Sequence, residues 1–195
     1  MCIRDSLYSE IIDRACNNIA TTWPEMADYI TSYVKVVCFL PNASFRSCSA
    51  ERYNRVTFFG NMDEHILDIE ENLVHETGHQ ILYCLSEVTD ITVENTPRLP
   101  SYTLPWSGTK RDLFGYFHAF YIYVLLTKYF AKRAGQNSKY EQLAKIRAEG
   151  LIAGNQIAAD ELLNNEQLTE QAKAIIKALL SDMGSIDLGD MEGPT

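Results

Sequence analysis

The stretch Asn72–Leu82 reads NLVHETGHQIL, with His75 and His79 four positions apart and Glu76 directly after the first. On an α-helix, residues four apart share a face with their Cβ atoms roughly 6 Å apart, so both imidazoles can aim a ring nitrogen at one cation. Glu76 sits about 100° round the axis and reaches water beside such an ion. The plain alternative is a histidine pair with no ligand. Metal is favoured because the motif lies in an amphipathic helix, expected from Asp63 onward, with Ile66, Ile69, Leu73, Ile81, Cys84, Leu85 and Val88 as one apolar stripe. The small residues Thr77 and Gly78 between the histidines are read as leaving room around the ion.

Two protein ligands hold a catalytic metal poorly, so a third is expected. The chain has four histidines, His65, His75, His79 and His118. His65 precedes His75 by ten residues on the same helix, roughly 15 Å, too far to share the ion. His118 sits inside DLFGYFHAFYIYVLL, Asp112–Leu126. Taken alone, a histidine on an apolar helix is more often a hydrogen-bonded core residue. Beside the pair, the balance changes. A buried imidazole among Phe114, Phe117 and Phe120 needs a polar partner, and a metal on a packed neighbouring helix supplies one. Gly115, one turn earlier, would let the two helices approach. The expected metal set is His75, His79 and His118. A zinc peptidase wants a different third ligand. Position 85 is Leu85, where one peptidase pattern has a histidine, and the His118 helix holds no glutamate. Glu87, on the motif helix, and Glu94, in the following loop, remain for that alternative.

Around this centre the chain reads as mostly helical. Leu7 to Tyr33 is helical in pattern through Ile11, Ile12, Ala15 and Ile19, with a restart at Trp23-Pro24, since proline fits a helix's first turn. VKVVCFL (Val34–Leu40), ending at Pro41-Asn42, SFRSCS (Ser44–Ser49) and RVTFFG (Arg55–Gly60), closed by Gly60-Asn61, suggest a small antiparallel sheet. Thr89–Thr109 is irregular. A helix follows from Asp112 to Ala134, ending at Gly135 as a left-handed cap. Ser138-Lys139-Tyr140-Glu141 has the form of a capping box for a third helix. A fourth starts near Thr169, with Ala172, Ile175, Ile176, Leu179 and Leu180 on one face, and ends at Gly184. The expected class is α+β, mostly helical and zincin-like: a small antiparallel sheet on the metal helix plus a C-terminal helical bundle, in a single domain over 1–195. Residues 185–195 read as a flexible tail. The opening MCIRDS matches nothing around it and looks like translated adapter sequence, so residues 1–6 are expected to be non-native and the chain a fragment.

The 195 residues suffice for a sizeable core. A formal charge of −9 argues against nucleic acid and against an anionic membrane surface as partners. Leu113–Leu126, the most apolar run, is too short to span a bilayer. Five cysteines (Cys2, Cys16, Cys38, Cys48, Cys84) without C-x-x-C spacing fit a reduced, cytoplasmic setting.

TTWPEMADYI (Thr21–Ile30), NLVHETGHQIL and LPSYTLPWSGTKRDLFGYFHAFYIYV (Leu99–Val124), in that order, resemble the HExxH motif proteins found beside ribosomal peptide-modification genes. Across roughly Leu7–Phe130, that family has a tryptophan-proline segment, the metal helix, and a proline-tryptophan, arginine-bearing loop leading into a histidine-bearing helix. Its members are described as peptide β-hydroxylases, so the resemblance implies an Fe(II) and 2-oxoglutarate-dependent dioxygenase acting on a peptide, in the setting of RiPP biosynthesis. It implies His75, His79 and His118 as metal residues and Arg111 as the co-substrate residue. A planar, always-charged guanidinium suits the far carboxylate of 2-oxoglutarate. Lys110 and Arg98 compete for that role, and Arg111 paired with Asp112 at the surface is its structural alternative. The chain lacks the family's arginine-proline element in SGTKRDLFG. Three imidazoles also differ from the usual two-histidine, one-carboxylate iron set. Glu76, the expected catalytic residue, is open between ligand, outer partner and base.

A peptide substrate needs a groove, and RVTFFG is the expected exposed edge for strand addition. Tyr102, Trp106 and Tyr116 either line the pocket or simply pack. The competing readings are a zinc metallopeptidase, with Glu76 as general base, and a non-catalytic peptide-binding module.

Overall fold

The computed structural model describes residues 6–40, 43–60, 65–136 and 139–184. Pro41-Asn42, Asn61, Asp63, Cys2, Ser138 in the expected capping box, residues 1–5 of the opening segment and the 185–195 tail lie outside the described residues. Contacts group the chain into two compact units, Met1–Asp90 and Ile91–Thr195. Among the described residues are six α-helices and two small sheets. No helix is long and apolar enough to cross a membrane.

In the first unit, α1 (Ser6–Thr22) and α2 (Pro24–Tyr33) break where Trp23-Pro24 predicts, with proline at the first turn of α2. Ile12, Ala15 and Ile19 of α1, and Met26 and Ile30 of α2, are buried. They pack on each other and on α3 (Ile66–Ser86). β1 (Val36–Phe39), β2 (Ser47–Ser49) and β3 (Val56–Phe59) form a sheet in the order β1-β3-β2. The expected antiparallel sheet is corrected to a mixed one: β1 runs parallel to β3, and β2 antiparallel to it. Strand order along the chain alone could not fix this, because the chain goes from β1 to the far edge β2 and returns between the two as β3. A second correction follows. RVTFFG supplies the central strand, so β1 and β2 are the edges. Val37, Thr57 and Phe59 are buried on one sheet face, whereas Cys38, Cys48 and Phe58 are half-buried on the other. Gly60 ends β3, where the Phe45 carbonyl oxygen lies 2.2 Å from the position a Cβ would take.

In the second unit, α4 (Leu113–Ala134), α5 (Glu141–Leu163) and α6 (Glu170–Gly184) pack as a bundle. The Asp112 side chain caps α4 by accepting the Gly115 N–H at 2.8 Å. Thr169 caps α6 by accepting the Ala172 N–H at 3.1 Å, and Ala172 and Ile176 are buried behind it. Gly135 does end α4, but with φ −74° rather than the expected left-handed conformation. Inside the irregular segment and just after it, β4 (Tyr102–Thr103) and β5 (Lys110–Arg111) pair antiparallel. Gly108 turns the chain between them at φ +68°. Trp106 is a packing residue. Its ring stacks on Tyr123 at 4.4 Å, its Nε1 donates to the Leu151 carbonyl at 3.2 Å, and it fills the space beside Gly154. Tyr102 and Tyr116 also pack, with rings 5.6 Å apart; Asn165 donates to the Tyr102 hydroxyl, and Tyr116 donates to Glu161.

Candidate metal centre

Helix α3 is enclosed on most sides. Ile66, Leu67, Ile69, Glu70, Leu73, Val74, Glu76, Thr77, Gly78, Gln80 and Leu82 are all buried. The expected single stripe is therefore too narrow for the N-terminal part of the helix and too long at the other end. Ile81, Cys84 and Leu85 are only half-buried, and Val88 lies beyond the helix at 80% exposure. A polar strip of half-buried residues remains: Asp68, Glu71, Asn72, His75, His79 and Tyr83. At about 100° per residue these six fall within roughly a third of the helix circumference. The motif histidines thus occupy a half-open strip, with buried residues on the other faces of the same stretch of helix.

His75, Glu76 and His79 each offer a ligating atom, and these atoms lie within 4.8 Å of one another. The two imidazoles stand edge to face, with centroids 4.7 Å apart and planes at 69°. The third expected imidazole, His118, is on α4 in the second unit. It is half-buried, with the Phe114 ring edge-on at 5.7 Å, while Phe117 and Phe120 are fully buried. The expectation of an imidazole sealed among phenylalanines is corrected accordingly. Arg111 is exposed, in β5 just before the helix. Gly115 has Asp112 Oδ1 and Arg111 Cβ as close neighbours, and its N–H completes the helix cap. Thr77 does not face the space beside the two histidines. It lies about 180° from the midpoint of the two histidines, buried, with its hydroxyl donating to the Leu73 carbonyl at 2.7 Å.

Glu76 is 1% exposed, and its Oε2 meets no hydrogen-bond partner. Burial pushes its carboxyl above the usual range, opposed by hydrogen bonding from Ser47 and Ser49. Both serines stand on β2, which packs along α3. Ser47 donates to Asn72 Oδ1 at 3.2 Å, and Tyr83 donates to the Ser49 carbonyl at 3.2 Å. Asn72 and Tyr83 bracket Glu76 on the helix, so the strand runs past it. Burial lowers His75 to about 4. The ring is therefore neutral at ordinary pH, the form that ligates a metal. A buried carboxylate oxygen without a donor, beside two imidazoles, is a donor set suited to a divalent cation. Sequence reasoning missed Asn72, Ser47, Ser49 and Tyr83. Tyr83 was within reach, since extending the four-residue spacing beyond His79 lands on it; the serines carried no signal, because β2 is only three residues long. The chain matches no protein-family model, and no curated protein is similar enough to count as a relative.

Proposed function

We propose that this chain is a metal-dependent, peptide-modifying enzyme whose centre is built on His75 and His79, with Glu76 as its catalytic carboxylate. One observation carries the reading: the ligating atoms of these residues cluster within 4.8 Å while the buried Glu76 Oε2 meets no donor. A carboxylate left so costs stability unless a cation or a proton meets it. The zincin-like reading is supported by a sheet whose edge strand β2 lies along the motif helix.

The resemblance selects an Fe(II) and 2-oxoglutarate-dependent peptide β-hydroxylase, with His118 as third ligand and Arg111 for the co-substrate. Such a group, when bound, supplies O₂-driven oxidation of a C–H bond to an alcohol, with 2-oxoglutarate becoming succinate and CO₂. The residues of this chain do the rest. His75 and His79 hold the ion, and Glu76 manages a proton in a site where burial strengthens every charge. An extended peptide is placed on β2, the edge beside the motif helix, rather than on β3.

The buried, unpartnered Glu76 Oε2 also favours a second reading, zinc peptide hydrolysis. There Glu76 takes a proton from the attacking water and returns it to the leaving amine. Anaerobic purification, elemental analysis and a 2-oxoglutarate decarboxylation assay separate the two. Iron with CO₂ release supports the oxygenase. Zinc with peptide cleavage lost in Glu76→Gln supports the hydrolase, and no bound metal defeats both.

A further inference from the structure

His75, His79 and Tyr83 follow one another at four-residue spacing along the half-open strip of α3, so three rings line one helix face. The outer two treat the middle one differently. His75 meets His79 edge to face, whereas the Tyr83 ring lies nearly parallel to His79, with planes 17° apart and centroids at 6.2 Å. Tyr83 is itself held at its far end, where its hydroxyl donates to the Ser49 carbonyl of β2 at 3.2 Å.

A ligand histidine has two free side-chain torsions, and one of its nitrogens must be aimed within tenths of an ångström. We propose that Tyr83 is a positioning residue for His79: a plate, anchored to the backbone of β2, that restricts rotation of the imidazole and so aims its ligating nitrogen toward the point shared with His75 and Glu76. The inference deepens the proposed metal centre and rests on it. It differs from a purely structural role for Tyr83, which predicts lost stability but an unchanged metal site.

The test uses Co(II), whose visible absorption reports ligand geometry, on the full chain and on Tyr83→Leu and Tyr83→Phe, with far-ultraviolet circular dichroism to confirm folding. Tyr83→Leu removes plate and anchor, and its Co(II) affinity is expected to fall about 10-fold, as when outer partners of ligand histidines are lost, with a shifted visible band. Tyr83→Phe keeps the plate and loses the anchor. It is expected to show a smaller, measurable loss with a band closer to that of the wild type. Affinity and spectrum unchanged in Tyr83→Leu overturn the proposal while leaving the metal centre standing. Should Tyr83→Leu fail to fold, unchanged affinity and spectrum in Tyr83→Phe overturn it equally. A wild-type chain that takes up no Co(II) defeats the metal centre itself and the inference with it.

Discussion

Gln80 clamps Arg55: its side-chain Oε1 accepts the Arg55 backbone N–H at 2.9 Å, and its Nε2 donates to the next carbonyl, that of Val56, at 3.1 Å. One buried amide, a single residue after His79, thus ties α3 to the start of the central strand. Arg55 has φ +64°, a conformation non-glycine residues rarely adopt. Its carbonyl also accepts from the N–H groups of Lys35 and Val36. Gln80→Ala leaves a donor and an acceptor unpaired and is expected to cost roughly 2 kcal/mol in chemical unfolding. Arg55→Gly relieves the left-handed strain at an exposed position and is expected to raise stability by about 0.5 kcal/mol, since glycine's extra unfolded-state freedom offsets part of the gain.

Acid should destabilise the metal-free protein through His75. Its pKa falls from 6.5 to about 4 on folding, so the folded state binds fewer protons and stability is lost as pH drops through that window. Removing this effect with His75→Asn is expected to flatten the pH dependence by up to roughly 3 kcal/mol between those limits. Thermal unfolding of the metal-free protein across that range provides the check.

Glu76 works in the opposite sense. Its carboxyl is raised by burial, so the stability it contributes is present below the ordinary value of 4.5 and declines as pH rises above it. Glu76→Gln is expected to raise the unfolding midpoint of the metal-free protein at neutral pH while abolishing turnover. A midpoint that falls at neutral pH would contradict the description of Glu76 as a buried carboxylate destabilised by its burial.

Gly154 and Trp106 make a second prediction away from the centre. A Cβ on residue 154 would stand 2.3 Å from Trp106 Nε1. Gly154→Ala is expected to push the indole off Tyr123, costing about 2 kcal/mol and reducing the near-ultraviolet circular dichroism of the aromatic cluster.

Local signals carried much of this structure. Trp23-Pro24, Asp112 and Thr169 mark helix boundaries by proline geometry and side-chain caps, which depend only on neighbouring residues, and the four-residue spacing of His75 and His79 is likewise local. What depends on partners distant in sequence was not legible. Val56–Phe59 is central because β1 and β2 both pair with it, and nothing within RVTFFG tells a central strand from an edge. The α3 stripe misled for a related reason. A helix packed on several sides buries Glu70, Thr77 and Gln80 as well as its apolar residues, which blurs the period that a one-sided helix would show. Ser47 and Ser49 matter at the site only through the antiparallel register of β2 on β3.

The central claim is that His75 and His79 hold a divalent ion, and the most direct measurement is the metal content of the anaerobically purified chain beside its His79→Ala variant. A single tightly held iron or zinc per chain, lost in the variant while the far-ultraviolet spectrum stays folded, is the expected result. A metal-free wild type, or a variant that retains its ion undiminished, would contradict it.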